Sequence, residues 1–106
     1  MSTVTVNPGV CQFCTHIVAK ANEEFEVELT ITSDCAHIQQ LAQQITRFSP
    51  FKELRLPMPA NSIYQAAGTC KLHAACPVPS AILKAAEVAA GMALPADVTF
   101  TINKDQ

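Results

Sequence analysis

The chain has no tryptophan, few aromatic residues of any kind, three glycines and only 15% charged residues. It has no basic cluster, and its net charge is -2 with an isoelectric point near 5.8. A nucleic-acid-binding surface needs a positive footprint, so that class is excluded as an expectation. No run approaches the roughly 18 apolar residues that cross a bilayer. The opening stretch MSTVTVNPGVCQ lacks a basic n-region, an apolar h-region and a small-residue cleavage site, which predicts a cytoplasmic protein with no membrane role. No paired-carboxylate, Ser-His-Asp or phosphate-loop pattern occurs, so hydrolytic and nucleotide chemistry gain no support.

What is there is hydrophobic patterning and sulfur. Hydrophobic residues make up 49% of the 106 positions, enough for one globular domain over residues 1–106 with a real core. Five cysteines are present. Thiols stay reduced in the cytoplasm, and an odd number cannot all pair, so a disulfide framework is not expected. Metal or sulfur chemistry competes with the plain reading of cysteine as a small buried hydrophobe.

Alternation places strands at Val4 and Val6, at Phe13–Ala21, and most clearly in FEVELTITSD, where Phe25, Val27, Leu29 and Ile31 share one face. Asn7-Pro8-Gly9 and Asn22-Glu23-Glu24 read as turns. Ser33 or Asp34 caps a helix with Cys35 in its first turn and an apolar stripe through Ile38, Leu41, Ala42, Ile45 and Phe48. Prolines 50, 57 and 59 break the next stretch. Asn61 then caps a short helix over residues 62–67, closed by Gly68. A second long helix runs from about Pro77 to Ala90, with Val78, Ala81, Ile82, Ala85, Ala89 and Met92 inward, and Gly91 ends it. ADVTFTIN supplies a last strand with Val98, Phe100 and Ile102 inward. The predicted order β-β-β-α-α-β packs as an α+β two-layer sandwich, a four-stranded, mainly antiparallel sheet with both long helices on one face. The long, mostly irregular stretch from Phe48 to Val78 is a candidate functional segment on length alone.

Cys76 stands directly before Pro77-Val78-Pro79, where a helix start offers unpaired N–H groups and the positive end of the macrodipole. Both favour the thiolate, the nucleophilic and metal-ligating form. Cys35 also falls at a helix start, Cys11 comes after a turn at a strand start, and Cys70 lies in the long loop. These four thiols form the minimum set for a 4Fe-4S iron-sulfur cluster or a four-cysteine zinc site. Cys76-Pro77 matches the Cys-Pro ending of ferredoxin-type runs. Cys14 is the odd one out, although CQFC can also be read as a CxxC chelate or redox pair. CKLHAAC places His73 where it could replace a thiol in a zinc site, against the simpler reading of a surface imidazole. His16 and His37 have no partner pattern and are expected on wet faces.

The stretch CPVPSAILKAAEVAAGMALPADVTFTI resembles the Cys-Pro-x-Pro helix and adjoining strand of the TusA/SirA sulfur-carrier family. That resemblance implies Cys76 as a persulfide site. It covers about a quarter of the chain, and here the motif precedes the last predicted strand, whereas the family has it after the first. Over its length, through VNPGVC, SDC and HAACPVP, the chain is similar to an uncharacterised family of small cysteine-containing proteins of anaerobic bacteria and archaea. This implies dedicated use of Cys11, Cys35, Cys70 and Cys76 in an oxygen-averse setting.

The leading expectation is a cysteine-ligated metal-binding protein, with Cys11, Cys35, Cys70 and Cys76 holding a 4Fe-4S cluster or, alternatively, zinc. A sulfur carrier acting through Cys76, with a redox or sulfur-transfer partner protein, is the second reading. An interaction domain with inert buried cysteines is the third. The residue pattern leaves enzyme status and oligomeric state open.

Overall fold

A computed structural model describes residues 1–105. Four strands form an antiparallel meander in chain order: β1 (Ser2–Val6), β2 (Thr15–Ala21), β3 (Val27–Ser33) and β4 (Arg47–Phe48). Four helices complete the α+β two-layer arrangement: α1 (Ala36–Gln44), α2 (Pro50–Glu53), α3 (Ser62–Thr69) and α4 (Val78–Ala89). Short 3-10 turns at Gly9–Cys11 and Met58–Ala60 join them.

Alternation decides the faces. Val4, Ile17 and Ile31 stand opposite one another across β1, β2 and β3, as do Val6, Thr15 and Ser33. This is the covered face, with α4 packed over β1 and β2 and α1 over β3. Thr3, Thr5, His16, Lys20, Glu28, Thr30 and Thr32 take the wet face. Ile17, Val27, Leu41, Ile63, Val78 and Ile82 are fully buried between the layers.

Local chemistry sets the turns. The Asn22 side-chain oxygen accepts from the amides of Glu24 (2.9 Å) and Glu26 (3.0 Å), closing the β2–β3 turn. Phe25 adopts φ +63° there and is exposed, so it does not join the inward row of β3. Phe13 likewise lies outside β2, which begins at Thr15.

The fourth strand comes from a different part of the chain than the pattern predicts. Helix α1 stops at Gln44, and Phe48 pairs with Val27 in β4 instead of continuing the helical stripe. Residues 97–103 pair with nothing: Val98, Phe100 and Ile102 are 60%, 72% and 88% exposed. Alternation shows that a segment can form a strand; it does not supply the neighbouring edge. The stretch after Phe48 is also more ordered than its prolines imply. Asn61 accepts from the amides of Ile63 (2.9 Å) and Tyr64 (3.3 Å) and donates to the Glu53 carbonyl (2.8 Å). The buried Glu53 carboxylate accepts from the Ser62 amide at 2.9 Å. The first turn of α3 is thus capped twice from within the protein, at the helix end that favours negative charge.

Replacing Asn61 with alanine removes this cap and strands a buried carbonyl, and is expected to cost about 2 kcal/mol of unfolding free energy. Urea denaturation of Asn61→Ala against the parent chain measures it; an unchanged midpoint would remove the cap from the account.

Candidate functional site

The register brings Val6, Thr15 and Ser33 to one end of the sheet. Helix α4 runs antiparallel to β1, because Ser2 near the other end donates to the Ala85 carbonyl at 2.6 Å, late in α4. The start of α4 therefore lies at the Val6 end. The β1–β2 connection carries Cys11 and Cys14, the β3–α1 junction carries Cys35, and the α3–α4 connection carries Cys70 and Cys76.

Each thiol then has its own surroundings. Cys11 and Cys14 are exposed in a turn built on Gly9 (φ +79°) and Gln12 (φ +64°). Cys35 is half-buried and occupies the N-cap position of α1 with no side-chain capping bond, where the sequence suggests Ser33 or Asp34 as the cap and Cys35 in the first turn. Its place is set by a polar pair that spacing alone does not single out. Thr15 is fully buried and donates to the Ser33 hydroxyl oxygen at 2.9 Å, and that oxygen also accepts from the Cys35 amide at 3.1 Å. A signal for the pair exists in the sequence: Thr15 and Ser33 are polar residues on inward positions of alternating strands, and a buried hydroxyl needs a partner.

Cys70 departs furthest from expectation. It closes α3, with its amide bonded to the Ala66 carbonyl, and its side chain is 2% exposed within the aliphatic core. The left-handed residue after the helix is Lys71 (φ +61°), not the predicted Gly68, and Leu72 folds back to bond the Ala67 carbonyl. His37 is not merely a wet-face residue. Its Nδ1 donates to the Cys70 carbonyl at 3.1 Å, tying the first turn of α1 to the end of α3. His16 faces Thr5 on the wet side, and His73 is exposed, contributing its carbonyl to the Cys76 amide at 3.0 Å.

Cys76 is half-buried at the start of α4. Burial pushes its thiol pKa up; the Val78 N–H bonded to the sulfur pulls it down; the nearby Cys11 and Cys35 thiols push it up again. Desolvation is the largest of these effects, so the neutral thiol is favoured and the expected thiolate preference is reversed. The flanking prolines explain the single backbone donor. Pro77 and Pro79 have no N–H, leaving that of Val78 alone between them.

Cys11, Cys35 and Cys76 are thus close enough to interact through charge. Coordination is more demanding, because it needs several donor atoms at bonding distance around one centre. Among the described residues, no group of three or more Cys, His, Asp or Glu side chains could hold a metal ion. This overturns the expectation of a 4Fe-4S cluster or zinc site on Cys11, Cys35, Cys70 and Cys76. The physical reason lies in the fold: Cys70 is committed to the core, and Cys11 rides an exposed turn. All five cysteines are free. Among the described residues, no helix is long and apolar enough to cross a membrane.

Residues 2–102 match the model of DUF6951, a family of unknown function, and the chain belongs to that family. Comparison with curated proteins and with solved structures returns no match.

The environments of the thiols set their order of reaction. In the native protein at neutral pH, iodoacetamide is expected to modify Cys11 and Cys14 first, Cys76 more slowly and Cys70 only on unfolding. The rate at Cys76 should climb with pH to a midpoint above the ordinary thiol value of about 8.5; a midpoint below it would contradict the dominance of burial. The same raised pKa contributes stability that is present below the unfolded-state value and lost as pH rises through the folded-state one. The stability difference between the parent chain and Cys76→Ala should therefore shift against the parent in alkaline buffer, as read by urea midpoints across the pH series.

Proposed function

We propose that this member of the DUF6951 family is a sulfur carrier in which Cys76 holds the transferred atom as a persulfide. The observation that carries the reading is the setting of Cys76: a half-buried thiol directly before α4, flanked by the Pro77-Val78-Pro79 helix start. The Cys-Pro-x-Pro resemblance to TusA/SirA-type carriers supports the same residue.

The chemistry is a redox-neutral transfer of sulfane sulfur. Cys76, as its thiolate, attacks the outer sulfur of a donor persulfide R–S–SH. The donor S–S bond breaks as the new one forms, and the departing donor sulfur takes up the proton that Cys76 gave up. The products are Cys76–S–SH and R–SH. Burial keeps the resting thiol protonated and hence unreactive toward stray electrophiles. A persulfide is a stronger acid than its parent thiol, so the loaded form carries the negative charge. The Val78 N–H and the positive end of α4 stabilise that charge. Cys11 and Cys35 stand near the loaded sulfur, and Cys70 serves packing alone. The donor is a protein or small-molecule persulfide, and the working compartment is the reducing cytoplasm, where free thiols persist.

Reduced protein incubated with glutathione persulfide, then subjected to intact mass measurement and peptide mapping, tests the assignment. One added sulfur atom is expected on Cys76, lost in Cys76→Ala and retained in Cys70→Ala. Loading that survives Cys76→Ala, or that tracks exposure alone by favouring Cys11 and Cys14, would reject it.

A further inference from the structure

We propose that residues 97–103 form a strand which pairs with the free β1 edge of a second copy of this chain, giving a two-fold dimer with exchanged C-terminal segments. Every residue from Leu94 to Asp105 is exposed, although Val98, Phe100 and Ile102 alternate with Thr99 and Thr101 as a half-buried strand requires. An isolated extended segment of this pattern leaves both its apolar face and its backbone hydrogen bonds to water.

The matching surface is β1. It is the first strand in the sheet order and pairs only with β2, so its other edge is open. Natural edges are usually guarded by charge, proline or a bulge. The β1 sequence STVTV has no charge and no proline, and its register with β2 is unbroken from Ser2 to Val6. The two segments also agree in pattern. Thr3 and Thr5 of β1 face water while Val4 and Val6 face α4, and VTFTI carries threonines on one side and large apolar groups on the other. Laid beside β1, the segment would align threonine with threonine on the wet face and bring Val98, Phe100 and Ile102 to the helix-covered face.

The segment leaves α4 through a constrained turn and lies unpaired beyond it, outside its own sheet. Gly91 takes φ +75°, the amides of Met92 and Ala93 both bond the Glu87 carbonyl at 2.8 and 3.2 Å, and Pro95 stiffens the chain beyond them. The molecule is correspondingly elongated, 51 × 29 × 25 Å. A short, constrained hinge before an unpaired strand favours exchange between copies over return within one. Each copy both donates a strand and receives one, so the two-fold axis doubles the contact, moving it toward the roughly 1,600 Å² typical of stable interfaces.

Light scattering after size exclusion, joined with hydrogen exchange, tests this on the reduced full chain. The expected result is twice the 11.4 kDa chain mass, with slow exchange in segments 2–6 and 97–103. Phe100→Asp and a chain ending at Pro95 should each give a folded monomer, by circular dichroism, in which the segment 2–6 amides not bonded to β2 exchange fast. A monomeric full chain would overturn the proposal, whether its C-terminal amides are protected, which means docking on its own β1, or unprotected, which leaves the strand to another protein. A dimer that persists without residues 96–106 would overturn it equally.

Discussion

Burial of one sheet face beneath α4 and α1 is the constraint on which the other features depend. Ile17 in β2 and Ile82 in α4 are fully buried on opposite sides of the same interface, and Leu41 of α1 and Ile63 of α3 are buried with them. Because strand side chains alternate strictly, choosing this face for the core also chooses the faces of Thr15 and Ser33. Two hydroxyls are thereby forced inward at one end of the sheet, and they satisfy each other and the Cys35 amide. The position of a thiol at that end is a consequence of packing several residues away.

The same packing accounts for the chemistry of Cys76. Val78 and Pro79 are buried as α4 seats on the sheet, which draws Cys76, two residues before Val78, partly out of water. Desolvation then outweighs the favourable pull of the Val78 N–H on the sulfur. A helix start stabilises a nearby anion only modestly, by about 0.3–1 kcal/mol where it is exposed, so even partial burial can reverse its effect. Proximity to Cys11 and Cys35 adds in the same direction as burial. Cys11 and Cys35 thus add to the burial of Cys76 in keeping its thiol neutral without the three being arranged as ligands.

Cys70 shows why cysteine spacing alone misleads. It lies six positions before Cys76, beyond a segment interrupted by prolines and a glycine, which reads as an open loop. In the folded chain, Asn61 and Glu53 organise that segment into α3, and the helix carries Cys70 into the aliphatic core. The capping residue is legible in the sequence because its chemistry is local: Asn61 needs only the amides two and three positions ahead. The Glu53 contact is not, because it joins two elements across a turn. The final alternating segment teaches the converse lesson. Its pattern is that of a strand, but a strand is completed by an edge, and the sheet within this chain takes Arg47–Phe48 as its fourth member instead.

By itself the sequence determined the local periodicities: the three N-terminal strands, the two amphipathic helices, the turn at Asn22, the cap at Asn61, the stop at Gly91 and the lone N–H of Val78 between two prolines. These depend on residues within a turn or two of one another, where backbone sterics and short-range hydrogen bonding decide. Only the tertiary structure decided which thiols meet, which one is buried as core, which way the Cys76 pKa moves and which segment completes the sheet. Those outcomes depend on desolvation and on contacts between residues far apart in the chain, and neither is written into spacing.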